Sequence, residues 1–79
     1  MEEFDLFITN HVSHRIIFLK KIDPDKLYKT EDLCRDFWID FIGLHKFIGQ
    51  RIKALSKNET LPIEAIKRTS SNAWLYRLL

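Results

Sequence analysis

The feature that most restricts this chain is a change of hydrophobic period near residue 60. Up to that point apolar residues recur in steps of three and four, the spacing of one helix face. Beyond it, Leu61-Pro62-Ile63-Glu64-Ala65-Ile66-Lys67-Arg68 and Ala73-Trp74-Leu75-Tyr76-Arg77-Leu78-Leu79 read as two strands. Between them Thr69-Ser70-Ser71-Asn72 is a cluster of turn formers. Helices followed by a hairpin give an α+β domain. Pro62 cannot donate to a ladder, so it must begin its strand or lie on an edge.

The helical part divides at its breakers. Phe4, Phe7, Ile8, Val12, Ile16 and Leu19 share one face of a first helix, and Lys20 and Lys21 suit its C-terminal end. Asp23-Pro24-Asp25 stops it, because proline disfavours helix at the residue before it. Leu27-Tyr28-Lys29 is a candidate short strand. Thr30, with Glu31 and Asp32 behind it, reads as the N-cap of a second helix whose buried side is Leu33, Cys34, Phe37 and Trp38. Asp40 can cap a third helix, in which Phe41, Leu44, Ile48, Ile52 and Leu55 share a face with Phe47 beside them. Ile42, Lys46, Gly49, Gln50 and Lys53 lie opposite, and Ser56-Lys57-Asn58-Glu59 ends it.

Seventy-nine residues make one domain with a thin core, and 46% hydrophobic residues suffice to build it. The net charge of +2 says little, but its distribution says more. Lys46, Arg51, Lys53, Lys57, Lys67, Arg68 and Arg77 face only Glu59 and Glu64 in the C-terminal stretch, whereas acids gather in Glu2–Asp5, Asp23–Asp25 and Glu31–Asp40. Such asymmetry points the C-terminal half at a polyanion. The single cysteine, Cys34, excludes an internal disulfide, the acidic start does not suit a secretory signal, and no apolar run reaches membrane-span length. The expectation is a soluble cytoplasmic or nucleoid-associated protein.

In this order of elements the chain resembles the winged helix-turn-helix superfamily, over about Phe4 to Leu79. The matching residues are Thr30-Glu31-Asp32-Leu33, the Ile39-Asp40 turn, the Leu44/Ile48/Ile52/Leu55 stripe and the hairpin on Lys67-Arg68-Thr69-Ser70-Ser71-Asn72. The ending through Trp74-Leu75-Tyr76-Arg77 looks like the wing of modules in phage and plasmid DNA-binding proteins. The resemblance implies three helices and a C-terminal two-stranded hairpin, with Leu27–Lys29 a candidate third strand. It also implies a glycine just ahead of the recognition helix. Here that region reads Phe37-Trp38-Ile39-Asp40-Phe41-Ile42-Gly43: either Gly43 sits in the turn and the helix starts at Leu44, or the turn lacks glycine.

The function so implied is binding of double-stranded DNA by a small transcription regulator or replication accessory of a mobile element. The helix at about Leu44–Leu55 would enter the major groove, which admits one helix and displays base edges. Lys46, Gln50 and Lys53 project from its polar front, with His45 at the margin and Gly49 between them, allowing close backbone approach. Gln50 can pair with adenine and lysine with guanine or phosphate. Lys67, Arg68 and Arg77 would meet phosphates, with Thr69, Ser70, Ser71 and Asn72 as small donors at the wing tip. Taken singly, two lysines and a glutamine are usually a solvated face, and Lys67-Arg68 could be edge protection.

Other residues have plainer readings. Trp74 and Tyr76 alternate onto one strand face, where Trp74 either stacks on bases or lids the core beside Phe37 and Trp38; the core reading is preferred. Arg51 lies within the apolar stripe and should snorkel or pair with Asp32 or Asp36. His11 and His14 are spaced i, i+3, but no partner completes a zinc site. Cys34 reads as a core residue, and Asp32, Asp36 and Asp40 as capping and solvated acids. No phosphate-cradling glycine loop or nucleophile elbow is present, so neither an enzyme, a cofactor nor a small-molecule substrate is expected. The competing class is a protein-interaction module, a homodimer or an inhibitor of a partner protein, using Leu6, Ile17, Phe18 and Ile42.

Overall fold

A computed structural model describes residues 3–71 and 73–79. The chain folds as α+β, with helices against one three-stranded antiparallel sheet. Helix α1 spans Glu3–Ile22 and strand β1 Leu27–Lys29. The short helix α2 covers Thr30–Leu33, a 3-10 segment runs over Ile39–Leu44, and helix α3 spans His45–Lys57. Strands β2 (Ile63–Arg68) and β3 (Trp74–Leu78) form the hairpin.

The 3.6-residue stripe of α1 is the largest wall of the core: Ile8, Val12, Ile16 and Leu19 are buried. Facing them are Ile48, Ile52 and Leu55 of α3, Leu33, Cys34 and Phe37, and Tyr76 and Leu78 of β3. Leu27–Lys29 is indeed a strand. It pairs with β3, giving sheet order β1–β3–β2, so the hairpin is not a detached ribbon but two thirds of a sheet. Pro62 directly precedes β2, an edge strand, and its carbonyl accepts the Leu79 N–H at 3.0 Å. Burial pushes the Cys34 thiol up to about 12, consistent with a packing role.

Several expectations are corrected. Helix α2 has four residues, not the long second helix read from Leu33, Cys34, Phe37 and Trp38. Beyond it the chain winds through i to i+3 bonds, Phe37 N–H to Cys34 O at 3.0 Å and Asp40 N–H to Phe37 O at 3.2 Å. The reason is steric: Phe37 and Phe41 turn toward the rings of Phe4 and Phe7 on α1, with centroids 5.1–6.0 Å apart. Residue 30 is not the N-cap; Lys29 is, and its N–H donates to the Asp32 carboxylate at 3.1 Å. Asp40 does not cap α3, which begins at His45 behind the flanking residue Leu44. Gly43 lies just ahead, within the 3-10 segment and without positive φ. Leu44 is exposed rather than part of the buried stripe.

Arg51 pairs with neither Asp32 nor Asp36. Its Nε and Nη2 donate to both carboxylate oxygens of Asp5 on α1, at 2.8 and 2.6 Å. Asp5 is 7% exposed, and the Arg51 guanidinium beside it holds its carboxyl below the ordinary range. The bridge fixes α3 on α1 at the margin of the apolar contact.

The C-terminal end of α3 sets the path into the sheet. Thr60 N–H reaches Leu55 O at 3.0 Å and Glu59 N–H reaches Ser56 O at 3.2 Å, with Glu59 left-handed at φ 65°. This is the double bond pattern that closes a helix, with glutamate where glycine is usual.

Candidate nucleic-acid interface

A groove of about 630 Å3 lies between the front of α3, the turn end of the hairpin and the β1–α2 junction. His45, Lys46, Gly49, Gln50 and Lys53 line it from α3, Arg68, Ser71, Ala73 and Trp74 from the hairpin, and Lys29, Thr30, Glu31 and Trp38 from the remaining side. Helical spacing explains the first set, since residues 45/46, 49/50 and 53 recur on one face while Ile48, Ile52 and Leu55 are buried on the other.

The hairpin contribution depends on a bulge. Ala65 pairs with Tyr76, but the next pair is Lys67 with Leu75, so the register shifts between Ala65 and Lys67. The extra residue moves Lys67 to the face of Leu75 and Arg77 and brings Arg68 onto the face of its partner Trp74. Strict alternation would have done the reverse.

Aromatic rings organise the polar groups. The Lys53 ammonium sits 3.7 Å from the Trp74 ring centroid, and the Arg68 guanidinium carbon lies 5.1 Å from it. One indole therefore holds cations from a helix and from a strand at the same place. At the other end His45 stacks on Trp38, centroids 3.6 Å apart and planes 9° from parallel. The His45 Nε2–H donates to the Trp38 carbonyl at 2.6 Å, which fixes the ring. Both tryptophans of the chain face this groove.

Of the residues singled out from sequence, His45, Lys46, Gly49, Gln50, Lys53, Arg68 and Ser71 come together here. Lys67 does not, being on the opposite sheet face. Arg77 does not either; it forms an ion pair with its cross-strand neighbour Glu64. Thr69 builds the turn rather than its tip: its hydroxyl contacts Ser71 Oγ at 2.9 Å and accepts the Ala73 N–H at 3.2 Å. Ser70 is exposed at the turn, and Asn72 lies outside the described residues. The sequence pattern places Trp38 with the buried side of a helix and Trp74 in the core. Each packs partly against the core and also forms a groove wall. Lys29, Thr30 and Glu31 were missed as lining; only the pairing of β1 with β3 brings them here.

His11 rests against the Phe7 ring, centroids 4.2 Å apart, and its Nδ1 lies 2.9 Å from Phe7 O. Among the described residues no group of three or more His, Cys, Asp or Glu is placed to hold a metal ion. No described helix is long and apolar enough to cross a membrane. No protein-family model, curated protein or solved structure matches the chain.

Proposed function

We propose that this chain is a winged helix-turn-helix module that binds double-stranded DNA, with α3 in the major groove and the β2–β3 hairpin against the backbone. The order of elements and the C-terminal hairpin support this reading, although the second helix is a single turn. One observation carries the reading: Lys46 and Lys53 of α3 and Arg68 of β2 line a single groove, on one side of the molecule. Cations contributed by two elements to one concave surface match a sugar–phosphate strand better than a scattered solvated face does. Gln50 lies between them on α3 and supplies the paired donor and acceptor that adenine requires. The module acts by binding, as a small regulator or replication accessory.

The test is an anisotropy titration with labelled mixed-sequence duplexes. Contacts to three phosphates imply an affinity that falls roughly 40-fold between 50 and 200 mM salt. Lys53→Glu should lower affinity at least about ten-fold and flatten the salt dependence by about one charge. No binding by the wild type at 50 mM salt would sink the reading.

A second reading has its own observation. Ile39 and Ile42, on either side of a kink at Phe41, are 78% and 71% exposed. Such a patch suits a protein contact, either a second copy or a partner. Light scattering that finds a dimer dispersed by Ile42→Glu, together with absent duplex binding, would favour it over the DNA reading.

A further inference from the structure

Resting on the DNA reading, we infer that the groove accommodates a single unpaired nucleotide, so that the module prefers a duplex carrying an extrahelical base over a perfectly paired one. A smooth duplex surface needs only an exposed ridge of donors and cations. This site is instead a recess of about 630 Å3, within the range of small-ligand pockets, with indole and imidazole walls. Aromatic walls in a recess gain most from a flat π-face brought inside, which a stacked base pair cannot offer.

The two ends of the recess differ in the way a nucleotide does. At one end the Trp38–His45 stack is a rigid aromatic platform, its imidazole tied to the Trp38 carbonyl. At the other, Lys53 and Arg68 are gathered on Trp74, a place for phosphate. His45 and Lys53 lie eight residues apart on α3, about 12 Å at 1.5 Å per residue. Between them Gln50 can read a base edge.

Gly49 is an independent observation. A Cβ built on it meets nothing within 4 Å, so internal packing does not require glycine there. In the middle of a helix glycine is unfavourable by about 1 kcal/mol relative to alanine. Its place on the groove wall keeps space that any other residue would fill.

The experiment compares two labelled duplexes of the same sequence, one fully paired and one with a single bulged adenine, by anisotropy. Tryptophan emission is followed in parallel, since both tryptophans of the chain line the groove. The bulged duplex should bind at least about five-fold tighter, the lower end of base–aromatic stacking, and alone quench the emission. Gly49→Leu, which lengthens a helix-favouring side chain into open space, should leave the fold intact and abolish both the preference and the quench. Equal affinity for the two duplexes with unchanged emission would overturn the inference while leaving duplex binding in place. Should neither duplex bind, the DNA reading itself fails. A titration with dAMP then decides the pocket: quenching lost in Gly49→Leu upholds nucleotide recognition, and its absence in the wild type overturns it.

Discussion

The basic side chains on the two sides of this molecule are treated in opposite ways. Arg51, on the side of α3 that meets α1, is bonded through two nitrogens to the buried Asp5, and Arg77, on the outer face of the sheet, is paired with Glu64. In the groove, Lys53 rests instead on the indole of Trp74, a ring that Arg68 also approaches. A carboxylate partner cancels a cation's field at short range, whereas a ring positions the cation and leaves its charge. The first arrangement serves the fold and the second serves a surface. Two elements with similar basic content therefore have different roles, decided by the residue that faces each cation.

The contrast can be broken most forcefully at Asp5. Asp5→Ala removes the two-pronged carboxylate partner of Arg51, whose side chain is 35% exposed, and should cost about 2 kcal/mol in denaturant unfolding, while the folded fraction keeps its groove and its DNA affinity. Equal loss of affinity per folded molecule would show that the two sides are not separate. The same bridge predicts an acid response. The folded Asp5 carboxyl ionises below its ordinary value of 3.8, so its contribution is complete above that pH and is lost as pH falls through the depressed folded value. Stability should therefore drop below about pH 4, and Asp5→Asn should remove that part of the slope. An unchanged slope in the variant would count against the bridge.

A smaller effect comes from Glu59. Its left-handed backbone is strained for any residue with a Cβ, and Glu59→Gly should raise stability by about 1 kcal/mol without altering duplex binding. The smallest belongs to Arg77. Both it and Glu64 are about half exposed, so Arg77→Gln should change stability by less than about 0.5 kcal/mol and leave DNA affinity unmoved. A drop in affinity would return Arg77 to the interface, as its charge alone had suggested.

How much of this was legible in the sequence depended on whether local pattern decided it. The α1 stripe, the α3 stripe from Ile48 to Leu55 and the hairpin follow from residue period, and all are present. So does the front of α3, because Lys46, Gly49, Gln50 and Lys53 share a face wherever the helix begins. Features set by distant partners were not legible. The partner of Arg51 lies 46 residues away, on the other side of an acid-rich segment that offered nearer candidates. That Arg68 rather than Lys67 faces the groove rests on a one-residue bulge without a local marker in Ala65-Ile66-Lys67. The shortness of α2 goes with aromatic packing of Phe37 against α1, which a good start at Thr30-Glu31-Asp32 does not reveal. Trp38 and Trp74 were assigned to the core because large apolar residues usually are, whereas each also presents a surface to the groove.

The most direct measurement is a proton–nitrogen correlation spectrum of the labelled protein titrated with a short duplex. The largest shifts should fall on the groove, including the backbone amides of Lys46, Gln50, Lys53 and Arg68 and the two indole N–H signals. Arg77 and the exposed surface of α1 around Ile17 and Phe18 should stay still. Shifts concentrated on Ile39 and Ile42 instead, with the indole signals unmoved, would contradict the DNA reading.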